Sequence, residues 1–272
     1  MGVRRVNVTI LGSGSRGNAL VLEVDGSRVL VDAGFNAKTL AARMRLAEIA
    51  PESIGAVILT HEHTDHVTGA CTAARKWGWT VYATPGTIAA TPGLSALRPL
   101  AIDPHDPIAL DRMDVCCVRT PHDAREPIAI VVHATTTGTR LGIAYDLGHV
   151  PDGLESALRQ VDALILESNH DDEMLRAGPY PLVVQDRIAS ANGHLSNRAA
   201  ADLGRRIAHR GLRHLVLAHL SAQNNSAAVA RGTMDAALRT SAFRGTLTVA
   251  RQDALTCFSV ERARRVEQLT LF

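Results

Sequence analysis

The sequence predicts an α/β sandwich, with two facing mixed sheets and helices packed outside them. Three observations carry that prediction. Apolar and β-branched runs first come in consecutive groups and then alternate with helical patterns, in each half of the chain. Isolated acids and histidines fall at the C-terminal ends of these runs, which points to one shared polar rim. No linker, repeat or low-complexity segment interrupts the pattern, so the 272 residues are expected to form a single domain, 1–272.

Residues 6–11 read as the first strand, ending in the loop Gly12-Ser13-Gly14-Ser15-Arg16-Gly17-Asn18. A second strand, Ala19 to Val24, follows at once. A dinucleotide or P-loop site needs a helix there, with its N-terminus facing the phosphate, so both are excluded. The loop still offers backbone N–H groups and Arg16 to a phosphate, with a plain hairpin connection as the equal alternative. Asp25-Gly26 turns the chain into a third strand, Arg28 to Val31. Asp32-Ala33-Gly34 ends it, before a helix over 37–49 with Pro51 beyond its end.

Val57-Ile58-Leu59 is a short buried strand, and a helix over 65–76 is expected after it. A further strand (80–83) and a helix from Pro85 onward lead to an irregular stretch, 92–107. Strands resume at 114–119, 128–133 and 139–145. A helix over 153–159 and a buried strand over 162–166 follow, then helical patterns over 181–191 and 197–210. Ser196 is placed to cap the second of these and Gly211 to end it. A strand at 215–218, a helix at 227–239 and two or three more strands or turns complete the chain.

Apolar content of 46% and charged content of 21% are those of a globular protein, and aromatics are only 3%. The core must therefore rest on Val, Ile, Leu and Ala. A net charge of +2 neither demands nor excludes a nucleic-acid partner, since a local patch suffices. Cys71, Cys116, Cys117 and Cys257 form no C-x-x-C pair and no disulfide framework, so a reducing cytoplasm is the expected compartment. No apolar run reaches the length of a signal-peptide core or a membrane span, and no membrane partner is expected.

The chemistry concentrates in His61-Glu62-His63-Thr64-Asp65-His66, four candidate metal ligands within six residues. In extended backbone, side chains two apart point the same way, so His61 and His63 converge on one ion. The turn into a helix aims Asp65 and His66 at a neighbouring point. His61, His122, Asp146, Glu167 and His219 all lie at or just after a strand end. Imidazole and carboxylate together suit zinc, manganese or iron. His149, His170, Asp171 and Asp172 read as supporting or surface groups, and His105, His133, His209 and His214 as ordinary histidines.

The His-x-His-x-Asp-His of 61–66 is the hallmark of the metallo-β-lactamase fold, and the sequence resembles that αββα superfamily. Gly12–Asn18, Tyr145–His149, Glu167–Asp171, Gly193–Asn197 and His219–Asn225 look like the bacterial YycJ/WalJ (VicX) proteins, cytoplasmic members of exonuclease type. The similarity runs in order from about residue 7 to 225. It implies two divalent ions, Mn²⁺ or Zn²⁺. His61, His63 and His122 would hold one, Asp65, His66 and His219 the other, and Asp146 would bridge them. Such a pair would share a hydroxide for in-line attack on a phosphodiester, with Asp65 orienting it or accepting the proton of the water it comes from.

Glu167 and the Gly193-His194-Leu195-Ser196 segment resemble the carboxylate–histidine pair of ribonuclease Z-like nucleases. That resemblance implies that His194, oriented by Glu167, protonates the leaving group. Ser13, Ser15, Arg16, Asn18, Ser196, Asn224 and Asn225 are the candidate substrate contacts. The chain is too short for the β-CASP insertion of ribonuclease J-like enzymes. The expectation is a nuclease acting on nucleic acid, DNA ahead of RNA, with 5′ to 3′ polarity. The alternatives are a small-molecule metallohydrolase acting on a lactone or thioester, and a metal-binding accessory protein of a cell-wall two-component system.

Overall fold

Both faces of the long strands are apolar, and this builds three layers of core rather than one. The protein, seen as a computed structural model, is described over residues 5–261, so both boundaries of the expected 1–272 domain lie outside the described residues. The first sheet has the order β14 (Thr256–Val260), β1 (Val6–Gly12), β2 (Ala19–Val24), β3 (Ser27–Val31), β4 (Ala56–Ile58), β5 (Thr80–Ala83) and β6 (Leu100–Ala101). The second runs β13 (Thr246–Val249), β12 (His214–Ala218), β11 (Ala163–Glu167), β10 (Arg140–Ala144), β9 (Ile128–Ala134), β8 (Met113–Arg119) and β7 (Ile108–Leu110).

Alternate residues of each strand go to different layers, as the period of two requires. Val8, Ile10, Leu20 and Leu22 meet Ile130, Ile143 and Ile165 between the sheets. Leu11, Val21 and Leu30 face outward, where α1 (Ala37–Leu46) and α3 (Ala70–Trp77) cover them with Leu40, Met44 and Ala73. On the other side Val131, Leu164 and Leu166 are covered by α5 (Asp152–Leu158), α8 (Asn197–Ile207) and α9 (Ala227–Leu238). The result is the expected αββα sandwich.

Strands β3, β4 and β5 are parallel, as are β10 to β13. Parallel strands deliver their C-terminal ends to one rim, where ligand-binding loops collect. β1 and β3 both run antiparallel to β2, so Gly12 reaches that rim as well. β14 runs antiparallel to β1, pairing Val260 with Val6, and so ends at the opposite rim.

Four expected element bounds change, among them the helix expected over 181–191, which ends at Ile188. The helix expected over 65–76 divides into α2 (Thr64–Val67) and α3. The break is at Gly69, whose N–H donates to Ala33 O at 2.7 Å and whose missing Cβ would lie 2.1 Å from Phe35 O. The helix expected to reach 49 ends at Leu46, and Glu48 takes φ 59°. That expected to reach 210 ends at Ile207, ahead of Gly211. The stretch 92–107, past α4 (Pro85–Ala90), contains a short 3-10 turn and β6, and β7 follows it. Also unforeseen is α6 (Asp172–Ala177), capped by Asp171, which accepts from the N–H groups of Glu173 and Met174. It leads into α7 (Leu182–Ile188). Ser196 caps α8 as expected, accepting from Ala199 N. Among the described residues no helix is long and apolar enough to cross a membrane.

Adjacent Cys116 and Cys117 sit on opposite faces of β8, one exposed and one buried, and all four cysteines are free. Burial, followed by the neighbouring Cys116, pushes the Cys117 thiol up to about 12. A thiol reagent at pH 8 is therefore expected to label Cys116 and Cys257 in the native protein and to reach Cys117 only on unfolding. Mass mapping of the labelled peptides checks this, and rapid native labelling of Cys117 would contradict its burial.

Candidate metal centre

Short connections at the shared rim bring the predicted ligands together from both sheets. After β4, residues 59–63, outside any helix or strand, place His61 and His63 beside each other, with ring centroids 4.7 Å apart. α2 then turns Asp65 and His66 inward, and His66 is fully buried. The loop after β8 supplies His122, the exit of β10 supplies Asp146, and the exit of β12 supplies His219.

Three acids and histidines at these exits hold left-handed backbone: Asp32 (φ 59°), Asp146 (φ 58°) and His219 (φ 53°). Such geometry costs a non-glycine residue roughly 1–2 kcal/mol, least for Asp and Asn, and it gathers where function requires a sharp exit. At each exit it redirects a polar side chain from the strand into the rim.

The resulting cluster has the spacing of metal donors. Donor atoms of His61, His63 and His122 lie within 4.8 Å of one another, as do those of Asp65, His66 and His219. Asp146 joins His61 and His66 in a third such group, and Glu167, His194 and His219 in a fourth. His122 Nε2 is 3.2 Å from His63 Nδ1, and His66 Nε2 is 2.9 Å from Asp146 Oδ2. His61 Nε2 is buried without a hydrogen-bond partner, an arrangement that costs free energy unless something else takes its lone pair. Burial, reinforced by the nearby His66 charge, holds His61 well below the usual imidazole range and so keeps that lone pair available. Imidazole and carboxylate donors at these distances fit divalent metal.

The groups around the donors fix their orientation. Asp32, fully buried, accepts from Thr60 N (2.8 Å), Thr60 Oγ1 (2.9 Å) and Tyr145 OH (3.0 Å), and meets His66 Nδ1 at 2.8 Å. This carboxylate holds the His66 ring with Nε2 facing the cluster, as a supporting carboxylate does for a ligating histidine. Sequence reading missed this role of Asp32, although an Asp at a strand exit before Gly34 was the available signal. Asp32→Asn keeps the left-handed backbone but removes the charge. It is expected to lower metal affinity about 10–100-fold, measured by competition with a chelator, at nearly unchanged melting temperature.

Glu167 and His194 do meet. His194 Nδ1 lies 2.7 Å from Glu167 Oε1 and 3.3 Å from Asp146 Oδ1. Glu167 also accepts from the N–H groups of Leu147 and Leu195 and faces His219 Nδ1 at 3.1 Å. Burial alone would lower the His194 pKa; the Glu167 and Asp146 carboxylates more than offset it and push it up to about 9. Burial would raise Glu167, yet the same His194 charge brings it down to about 2.

The candidate substrate contacts divide. Asn18 is buried and reaches Asp65 Oδ2 at 3.3 Å and His66 Nε2 at 3.2 Å. Ser13 donates to Asn18 and accepts from His219 N at 2.8 Å. Asn225 donates to Ser168 O and Asn169 O, while Ser196 caps its helix. Asn224 is fully buried beside Gly178. These five side chains are buried or half-buried among the loops at the rim. Only Ser15 and Arg16 of the set stand exposed, with Ser15 on the wall of the cavity above the ligands. His149 pairs with Ala191 O, His209 with Val161 O, and His214 stacks on Phe258, all apart from the ligand cluster.

Residues 27–220 match the Beta-lactamase superfamily domain family. With this fold and this donor cluster, the protein is a metal-dependent hydrolase of that superfamily. The chain is 33% identical to exodeoxyribonuclease YycJ of Bacillus anthracis over 88% of its length and 91% of that protein's. It is 31% identical to exodeoxyribonuclease WalJ of Streptococcus pneumoniae over 83% and 86%. Within the superfamily, it belongs to the YycJ/WalJ family. Among solved structures, the metallo-β-lactamase fold protein YhfI of Bacillus subtilis superposes with a TM-score of 0.70 at 17% identity, covering 93% of this chain and all of that one.

Proposed function

We propose that the protein is a phosphodiesterase acting on nucleic acid, a 5′ to 3′ exonuclease on DNA. The observation that carries this reading is the Glu167–His194 pair beside the ligand cluster, at 2.7 Å. The thiolate of a thioester leaves without a proton, whereas an alkoxide leaving phosphate takes one from a general acid. The exodeoxyribonuclease names of the two relatives support DNA as the substrate.

Two divalent ions, Mn²⁺ or Zn²⁺, would be held by His61, His63 and His122 and by Asp65, His66 and His219, with Asp146 shared. When bound, such ions make a hydroxide available near neutral pH and neutralise phosphoryl charge. The chain's own residues do the rest. A cavity of about 370 Å³ is walled by Asp65, Asp146, His194 and His219, with Tyr180 and Arg187 at its outer side. Asp65 accepts the proton of the attacking water. His194, with Nδ1 tied to Glu167, turns Nε2 toward the leaving oxygen and gives it a proton. The α7 wall and Ser15 position the strand end.

Free cysteines fit a reducing cytoplasm, and one domain without a β-CASP insertion fits an enzyme that takes strand ends. The test is hydrolysis of 5′-labelled double- and single-stranded DNA, RNA and a lactone panel with manganese or zinc. Mononucleotide release from DNA ends is expected; lactone turnover without DNA cleavage would overturn the reading.

Arg16 pairs with Asp253 at the exposed rim, an ion pair weak enough for a phosphate to replace. Arg16→Ala is expected to raise KM for a DNA end and to lower the salt slope by about one contact, near −0.7 to −0.9 on a log–log plot. An unchanged slope would place Arg16 off the substrate path.

A further inference from the structure

The cavity over the ligand cluster has two chemistries. Its floor is ionic, with Asp65, Asp146, His194 and His219, while Tyr180, Val184 and Ile188 make one wall apolar. Val184 and Ile188 lie four positions apart and so share one face of α7. Immediately before Val184 stand Leu182 and Val183, 71% and 75% exposed, the one adjacent pair among the exposed large hydrophobics of the described residues. The apolar surface therefore runs from the cavity wall out to its mouth. Single exposed hydrophobics are ordinary, whereas an apolar strip that rims a polar cavity marks a binding surface. This lip is also held in place. Pro179 and Pro181 narrow the backbone freedom on either side of Tyr180. The buried Gln185 donates from Nε2 to Tyr180 O at 2.9 Å.

We propose that Tyr180, Leu182 and Val183 form a stacking lip for the nucleobases of the strand end whose phosphodiester lies on the ionic floor. The inference deepens the nuclease reading and rests on it. A phosphodiester by itself needs only the floor. An apolar lip directly beside that floor calls for a flat apolar group joined to the phosphate by a short polar link, and a nucleotide has this form. Every base presents a π-face, so the Tyr180 ring stacks on any of them and leaves the enzyme indifferent to sequence. Leu182 and Val183, on the solvent side, cover the adjoining base. Arg187, 68% exposed and 3.4 Å from Asp123, adds a positive charge at the same wall for the phosphates of the strand.

The experiment compares the metal-loaded native protein with Tyr180→Ala, Tyr180→Phe and Leu182→Ser/Val183→Ser. Each is given an oligonucleotide with ordinary terminal nucleotides and one whose terminal residues lack bases. Binding is read by fluorescence anisotropy on versions with terminal phosphorothioate linkages, which hold back cleavage, and turnover on the natural linkages. The native protein is expected to bind the ordinary end about 5–100-fold more tightly than the base-free end. That ratio should fall toward one in Tyr180→Ala and in the double variant, and Tyr180→Phe, which keeps the ring, should keep it. Metal content and melting temperature should match the native protein throughout. Equal binding of the two ends by the native protein, or an undiminished ratio in Tyr180→Ala or the double variant, would overturn the proposal. So would a native dimer that the double variant loses in light scattering, which would place a second copy of the chain on the lip. Base-dependent binding without cleavage of any DNA would retain the lip and retire the nuclease reading; cleavage with no base preference would do the reverse.

Discussion

His194→Ala is expected to keep its metal and lose roughly 10²–10⁴-fold in kcat on an ordinary phosphodiester. The ring touches Glu167 and Asp146 on its Nδ1 side, and its own side chain is 17% exposed, toward the cavity. An imidazolium fixed in this way would serve as the acid that the proposed mechanism asks for. Its loss should matter little when the leaving group is p-nitrophenolate, which departs without a proton. Glu167→Gln should give a milder form of the same pattern, because the backbone N–H groups of Leu147 and Leu195 retain an acceptor in the amide oxygen. If His194 only packed the turn before α8, both substrates would slow alike and the melting temperature would fall. Equal losses on the two substrates would remove the proton-donor role.

Asp146→Asn is expected to abolish hydrolysis and to lower metal content while leaving the fold intact. Among the described residues Asp146 is the one carboxylate within 4 Å of four imidazoles: His66 at 2.9 Å, His219 at 3.2 Å, His194 at 3.3 Å and His122 at 3.8 Å. Neutralising it removes the negative charge that both candidate sites would share. Asparagine tolerates φ 58° nearly as well as aspartate, so the strand exit survives. Asp146→Ala adds backbone strain of about 1 kcal/mol and should melt lower than the Asn variant. Elemental analysis beside circular dichroism separates the two effects. Full metal content and full activity in Asp146→Asn would retire the shared-ligand assignment.

The ligand cluster was legible because its spacing is local and its chemistry is stark. His61, His63, Asp65 and His66 fall within six residues, and the others mark strand ends that apolar periodicity predicts. What stayed hidden depends on contacts between distant segments. Asn18 reads as a surface-loop residue until Asp65 and His66 are brought against it, 47 and 48 positions on. Asp32 looks like a turn residue until His66, Thr60 and Tyr145 converge on it. The break at Gly69 has no helix-breaking signal stronger than a single glycine; the backbone of residues 33–35 passing beside it forces the turn. Short pieces such as α6 and β7 carry too few residues for a periodic pattern to show.

The candidate donors are split between the sheets: His61, His63, Asp65 and His66 follow a strand of the first, while His122, Asp146 and His219 follow strands of the second. The described strands form two separate hydrogen-bonded sheets, joined by an apolar layer and by a few polar contacts such as Tyr145 OH to Asp32 and His219 N to Ser13 Oγ. Ions seated in the rim would act as rivets through the two plates and resist shear between them. At a free ion concentration about 1,000 times Kd, a single such rivet adds about 4 kcal/mol to stability. Chelation should then speed amide exchange at the rim ends of both sheets together, before the far rim loosens.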